Sequence, residues 1–269
     1  MFSFKKKIEW QISAVTDIGT VRTVNQDNFY IMEKVLSFPS TSHYERSVEC
    51  TGAVLVAVCD GMGGESRGEE AAFLANRVLE SVNPRTFESL STEELKHRLG
   101  QLICEMNDSV YRNLGSKGGF AGSTVVLFYS DVARTVVANV GDSPCIRHNQ
   151  YGTQLVTVPD NQANYLFKRG EITEEERWEH KSKSQLTQCL GEDPEEFQVQ
   201  PHLYVADAMK KGEIYLLSSD GLVDGVKIPQ ITGMLRQNPS PSLAHALVEA
   251  AKAGGSRDNI TVVFVQRKA

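Results

Sequence analysis

Val54-Leu55-Val56-Ala57-Val58-Cys59-Asp60-Gly61-Met62-Gly63-Gly64 decides how this chain is read. The stretch opens as a valine-rich apolar run with Gly52 just upstream, the pattern of a strand buried on both faces. An acid stands where the strand leaves the core, and three of the next four residues are glycines. An ionised carboxylate at the end of a buried strand is costly unless something pairs with it. Bare glycine backbone lets a bound group approach closely. Strand, acid and glycines together suit the holding of a hard cation or a phosphate. A lone Asp-Gly would be read more simply as a turn between strands.

The rest of the chain argues against the simple turn. A second core strand ends in the same way, Ser218-Ser219-Asp220-Gly221 echoing Val58-Cys59-Asp60-Gly61. Asp258 lies just before a core strand, Asp142 just after one, and Asp27 just before another. One carboxylate at a strand end is ordinary, because Asp favours turns. Five placed this way point to convergence at one edge of the sheets. Converging carboxylates repel, and at close range they share either protons or cations. Carboxylate, carbonyl and water ligands suit Mg²⁺ or Mn²⁺. Neither the six histidines nor the five cysteines show the spacing of a softer site. An Asp that bridged two ions about 3.5–4 Å apart would make a two-metal hydrolytic centre. A phosphate also needs a positive partner. Arg22 is the only basic residue between Lys7 and Lys34, and it sits five residues before Asp27. A guanidinium can grip two phosphoryl oxygens in a planar fork.

Composition narrows the class. At 269 residues, 41% hydrophobic and 23% charged, the chain reads as a soluble globular protein with core enough to need no staples. A net charge of -6 offers no electrostatic footprint for nucleic acid. No apolar stretch reaches membrane-spanning length, and the Lys5-Lys6-Lys7 run is not followed by the apolar region of a signal peptide. The cysteines are odd in number and never form Cys-x-x-Cys, which reads as reduced thiols in a cytoplasmic protein. With no linker and no further repeat, residues 1–269 are expected to be a single domain, by default a monomer.

Strands are expected at 8–14, 28–32, 53–59, 124–129, 135–140, around 146, and at 155–158, 203–206, 214–219 and 260–265. Helices are expected at 71–79, from the capping box of Ser91 and Glu94 to Gly115, at 228–236, and at 243–251 with Ser240 as its cap. Residues 38–49 read as a polar loop. Residues 159–200 are polar, rich in Glu and Lys, and read as a surface flap with short helices near 165–169 and 174–180. Strands dominate, helices come as two pairs, and no βαβ alternation is sustained. The fold class is therefore α+β, with helices packed outside antiparallel sheets.

These residues resemble one family, the metal-dependent serine/threonine protein phosphatases of the type-2C (PPM) group in their compact bacterial form. The likeness spans nearly the whole chain. Arg22-Thr23-Val24-Asn25-Gln26-Asp27, Asp60-Gly61-Met62-Gly63-Gly64, Gly122-Ser123-Thr124, Val140-Gly141-Asp142-Ser143, Ser219-Asp220-Gly221-Leu222 and Asp258-Asn259-Ile260-Thr261 occur in the family's order. Lys168-Arg169-Gly170-Glu171-Ile172-Thr173 matches its flap. The resemblance implies two packed antiparallel sheets flanked by helix pairs, with metals in the cleft at one end. It implies Asp60 as the bridge between two Mn²⁺ or Mg²⁺ ions, with Asp220 and Asp258 completing the first. The Gly61 carbonyl and Asp27, directly or through water, would serve the second. Asp142 with Asp220 would form a weaker third-metal site, and Arg22 would bind the substrate phosphate.

The implied activity is hydrolysis of phosphoserine and phosphothreonine in proteins, opposing a serine/threonine kinase. A hydroxide shared by two cations would attack phosphorus in line, while Arg22 and the metals stabilise the equatorial oxygens. Three departures stand out. Glu65-Ser66 occupies the place of a histidine found after the glycine cluster in many relatives, Asp160-Asn161 replaces an Asp-His pair, and His180-Lys181 replaces a His-Pro. Rival readings fare worse. A dinucleotide loop lacks its third glycine, since Ser66 stands there, and lacks a βαβ array. No cysteine has an arginine six residues on, as a phosphocysteine mechanism requires. A catalytically silent phosphoprotein-binding module on the same fold would be expected to have lost ligand acids, and Asp60, Asp220 and Asp258 are all present.

Overall fold

The computed structural model describes residues 8–32, 34–64, 67–115, 121–237 and 239–268. Among the described residues, thirteen strands form two antiparallel sheets. In chain order they begin with β1 (Glu9–Asp17), β2 (Asp27–Ile31), β3 (Lys34–Val35), β4 (His43–Thr51) and β5 (Val54–Gly63). Next come β6 (Ala121–Ser123), β7 (Val125–Ser130), β8 (Arg134–Val140), β9 (Cys145–Asn149) and β10 (Gly152–Leu155). The last three are β11 (His202–Asp207), β12 (Ile214–Ser218) and β13 (Ile260–Arg267). One sheet runs β10-β9-β12-β13-β1-β4, and the other runs β11-β8-β7-β5-β2-β3 with β6 added to the end of β5.

Side-chain parity along β5 shows why the sheets stack. Val54, Val56 and Val58 face the other sheet and pack with Trp10, Ile12, Phe128, Val263 and Val265. Leu55, Ala57 and Cys59 point the other way, onto helices α1 (Arg67–Arg77) and α2 (Thr92–Asn113). The apolar run is continuous because both faces are covered. On the far side, α6 (Ile228–Gln237) and α7 (Leu243–Ala253) cover β1, β12 and β13 through Ile231, Leu235, Leu247 and Val248. The order of layers is helix, sheet, sheet, helix. No helix among the described residues is long and apolar enough to cross a membrane.

Four local readings need correction. Residues 43–51 are not loop but β4, an edge strand paired with β1 along its whole length from Glu9↔Thr51 to Asp17↔His43. Its polar side chains hid the strand, and charge on an exposed edge is what discourages sheet-to-sheet aggregation. The segment after β12 is a short helix, α5 (Asp220–Gly225), obscured by two glycines that are poor helix formers. Packing demands both: a Cβ on Gly221 would lie 2.0 Å from the Asn259 carbonyl oxygen, and one on Gly225 would lie 2.2 Å from that of Ala251. The strand after the 149–152 turn is Gly152–Leu155 rather than 155–158. The cap of α7 is Ser242, whose side chain makes no capping bond; the Ser240 hydroxyl instead meets that of Ser242 at 2.8 Å.

Between β10 and β11 lie α3 (Gln162–Lys168) and α4 (Glu174–Glu179), the latter with no buried residue. The segment is tied back at its far end. Leu190 and Ser123 exchange backbone hydrogen bonds of 2.7 and 3.1 Å, and Asn107 of α2 accepts from Gly191 and Glu192.

The capping box of α2 is present as expected. Ser91 Oγ accepts from Glu94 N at 3.2 Å, and Glu94 Oε2 accepts from Ser91 N at 2.7 Å. Replacing Ser91 by Ala should cost about 1 kcal/mol of stability, read as a lower urea midpoint with unchanged slope. An unchanged midpoint would mean that packing alone holds this helix end.

Candidate active site

Both sheets deliver acids to one end of the cleft between them. Asp27 opens β2 and stands directly opposite Asp60 of β5 in the antiparallel register. Asp142 follows β8, after Gly141 turns the chain with φ 89°. From the other sheet, Asp220 begins α5 just after β12, and Asp258 immediately precedes the Asn259-Ile260 entry to β13. Arg22, Asp60, Gly61, Asp142, Asp220 and Asp258 line a single cavity of about 270 Å³. Asp27, 1% exposed, is buried beside Asp60. The structure thus brings together all seven residues singled out from the sequence.

The strand does not leave the core at Asp60. It continues to Gly63, and its last three residues pair with β6, Gly61 opposite Ser123 and Gly63 opposite Ala121. Gly61 is bare for a reason beyond ligand approach: a Cβ there would lie 1.9 Å from the Gly68 carbonyl oxygen and 2.7 Å from that of Gln26. The first turn of α1 can therefore press directly against the strand.

A layer of hydroxyls and amides fixes the acids. Asp60 N donates to Thr124 Oγ1 at 3.0 Å, whose hydroxyl meets Ser143 Oγ at 2.6 Å. Ser219 Oγ donates to Asp27 Oδ2 at 2.7 Å and accepts from Thr261 N at 2.9 Å. Asn259 pins the segment that carries Arg22. Its Oδ1 accepts from Gln26 N at 2.8 Å, and its Nδ2 donates to the Ile18 and Val24 carbonyls at 3.0 Å each. These residues stand in the family-like motifs, yet their types and spacing alone assign them no role. The available signal was adjacency, since each flanks an acid or a strand that carries one.

Arg22 uses its fork on Asp258: Nε donates to Oδ1 at 2.8 Å and Nη2 to Oδ2 at 2.6 Å. That bond is the main reason its guanidinium is held above the usual arginine range. The departures from the family pattern resolve unevenly. Asn161 donates to Asp142 Oδ2 at 3.2 Å, so the residue in place of the histidine still touches an acid of the site. Asp160 turns inward, accepting from Gly141 N at 3.0 Å and meeting His202 Nε2 at 2.7 Å. His180 faces the Ser182 hydroxyl at 2.6 Å. Glu65 and Ser66 lie outside the described residues. Asp224, one helical turn beyond Asp220, is an acid the sequence reading passed over. With Asp142 and Asp220 it lines an adjoining cavity of about 40 Å³.

Electrostatics sharpen the picture. Burial, then repulsion from Asp27, Asp220, Asp258 and Asp142, pushes Asp60 well above the ordinary carboxylate range. Asp220 is pushed up likewise, by burial and by Asp142 and Asp224. Burial raises Asp27 to about 7 against the pull of the Ser219 hydrogen bond. Burial raises Asp142 to about 6, with Asn161 pulling the other way. Asp60 and Asp220 are open to the cavity but otherwise walled in by protein. Asp27 Oδ1 and Asp220 Oδ1 are buried with no hydrogen-bond partner. Repelling carboxylates, orphaned oxygens and an all-oxygen donor set fit divalent hard cations.

Comparison with known proteins agrees with this geometry. No family model matches the chain. It is similar to the protein phosphatase PhpP of Streptococcus pneumoniae, 30% identical over 271 residues that cover 95% of this chain and 96% of that one. The chain belongs to the PPM family of serine/threonine protein phosphatases. A second relative, the serine/threonine phosphatase Stp of Listeria innocua, is 30% identical over 256 residues, 94% of each chain. Among solved structures, the catalytic domain of the phosphatase PstP, in complex with two manganese ions, superposes with a TM-score of 0.77 at 25% identity. That match covers 97% of this chain and 100% of that one. The two antiparallel sheets with flanking helices are the fold of these PPM phosphatases, and the enzyme is a phosphoric monoester hydrolase by membership.

The raised acids give the metal-stripped phosphatase a particular pH dependence. A carboxyl near 3.8 when unfolded and at about 6 or about 7 when folded favours the fold below about pH 4. That contribution is lost as pH rises through the folded values. In EDTA, thermal unfolding should therefore occur at a higher temperature at pH 5 than at pH 7.5, and Asp27→Asn should flatten the trend. A wild type and variant with parallel profiles would show that Asp27 does not carry the effect.

Proposed function

We propose that residues 1–269 form one catalytic domain that removes phosphate from phosphoserine and phosphothreonine in proteins, using two Mn²⁺ or Mg²⁺ ions. The observation that carries this reading is the convergence of Asp60, Asp220, Asp258 and Arg22 on one cavity, with carboxylate oxygens that lack partners. Asp60, central among the acids, would bridge the ions, with Asp220 and Asp258 on one of them and Gly61 and Asp27 on the other. Asp142, Asp220 and Asp224 offer a weaker third position. When bound, the ions supply Lewis acidity, activating water near neutral pH and neutralising phosphoryl charge.

The chain's own residues do the rest. The hydroxyls of Thr124, Ser143 and Ser219 hold Asp60 and Asp27 in place before substrate arrives. This preorganisation spares the reaction the cost of rearranging dipoles. With Nε and Nη2 directed at Asp258, Arg22 would turn the remaining edge of its guanidinium to the phosphoryl oxygens, and the negative charge that accumulates there in the transition state would strengthen the pairing. The Asn259 clamp keeps that arginine at the cavity mouth. The 159–200 segment, linked to Asp142 through Asn161, would act as the flap against which the phosphoprotein rests. An opposing serine/threonine kinase, a cytoplasmic location and a monomeric state complete the proposal. Retention of every candidate ligand acid disfavours a silent binding module.

Turnover of p-nitrophenyl phosphate and a phosphothreonine peptide tests this directly. Activity should require Mn²⁺ or Mg²⁺ and vanish with EDTA. Asp60→Asn should lower kcat/KM at least about a hundredfold, or about 3 kcal/mol, in a protein that still folds. Activity persisting in EDTA, or near-wild-type rates in Asp60→Asn, would defeat the reading. Arg22→Ala should lower kcat/KM by about ten- to a hundredfold, chiefly through KM; unchanged constants would remove Arg22 from the substrate site.

A further inference from the structure

The face formed by β4 and α7 carries a cluster that phosphate hydrolysis leaves unused. His43 and Glu45 are two apart on β4, so both side chains leave the sheet on the same side. Their cross-strand partners are Asp17 and Val15, and Val15 is buried against the α7 core, so that side faces α7. His245, in the first turn of α7, meets them there. Glu45 Oε1 stands 3.0 Å from His43 Nε2 and 2.5 Å from His245 Nδ1. The three ligand-capable atoms all lie within 4.8 Å of one another.

The other nitrogen of His43 is committed. Its Nδ1 lies 2.9 Å from Oδ2 of Asp17, which is buried and steadied by Gly19 N at 2.8 Å and Lys252 Nζ at 3.3 Å. A carboxylate on one imidazole nitrogen fixes the tautomer and turns the other nitrogen outward as a lone pair. A neutral imidazole has one proton. When His43 is neutral and its Nδ1–H donates to Asp17, its Nε2 and Glu45 Oε1 face each other as two acceptors, and a cation between them satisfies both.

We propose that His43 Nε2, Glu45 Oε1 and His245 Nδ1 bind a transition-metal dication of the Zn²⁺ type, at a site separate from the carboxylate cavity. Two imidazoles and one carboxylate are a borderline donor set, unlike the all-oxygen active site, and leave a fourth position for water. Ligand atoms around a tetrahedral ion stand about 3.3 Å apart, within a small rotation of the observed placement. The side chains are free to make it, being 42%, 45% and 52% exposed for His43, Glu45 and His245. Lys252 is shared between Asp17 and Glu249 and offsets only one of these two negative charges, so the surroundings favour a cation. A bound ion would tie edge strand β4 to α7.

Calorimetric titration of metal-stripped protein with Zn²⁺ tests the site. Wild type should take up about one more equivalent than the His43→Ala/His245→Ala double variant. Glu45→Gln, which keeps the side chain's shape, should weaken that extra uptake at least about tenfold. Turnover of p-nitrophenyl phosphate with Mn²⁺ should stay within about twofold of wild type in both, showing that the fold survives; were the double variant to misfold, Glu45→Gln alone decides. Equal Zn²⁺ uptake, in number and affinity, by wild type and folded variants overturns the proposal.

Discussion

Mutual repulsion among buried carboxylates is the constraint to which the rest of this molecule answers. Burial and neighbouring carboxylates together raise the proton affinity of Asp27, Asp60, Asp142 and Asp220, and Asp258 adds to the repulsion on Asp27, Asp60 and Asp220. Left alone, such a group would splay apart or protonate. The fold prevents splaying by anchoring each acid to a strand end or a helix start, and by bonding the surrounding backbone to Ser, Thr and Asn side chains. What remains is a standing demand for positive charge. Arg22 meets part of it through its fork to Asp258. A metal ion or a proton must meet the remainder, and that demand is the source of the affinity the site needs.

Much of this was legible in the chain itself, and the parts that were not share a physical reason. The β5 run could be read because burial on both faces demands apolar residues at every position. The α2 start could be read because Ser91 and Glu94 satisfy orphan backbone donors by a local rule. The acids could be read because charge at the end of a buried strand is conspicuous. By contrast, β4 sits at a sheet edge, where polar residues are favoured and alternation fades. Helix α5 carries Gly221 and Gly225 for the sake of neighbours distant in sequence, Asn259 and Ala251, which no local window contains. The continuation of β5 past Asp60 depends on β6, about sixty residues away in the chain. Thr124 and Ser143 escaped notice because they act on the backbone of Asp60 rather than on its carboxylate.

The glycines after Asp60 show how one residue type serves two ends. Gly63 lines the cavity with φ 146°, whereas a Cβ on Gly64 would meet nothing within 4 Å. Gly61 answers first to packing, since any side chain there would collide with Gly68 and drive α1 off the strand. Gly68 is constrained in return by Gln26 and Gly61. The helix, the strand and the Arg22 segment are thus locked together by the absence of two Cβ atoms. Bare backbone near a site is not by itself proof of a bound group.

One feature of the layering reaches further. Asp27, Asp60 and Asp142 ride on one sheet, whereas Asp220 and Asp258 ride on the other. The gap between the two sets is crossed by the loops that join β1 to β2 and β8 to β9, but its width is set by neither sheet alone. It is gauged by the thickness of the interleaved side chains between the sheets, Val58 and Phe128 on one side against Tyr215 and Val263 on the other. Those residues never meet a phosphate, yet they work as the shim in a caliper. Thinning them by one methyl group would retune the jaws, and with them the size of ion they grip.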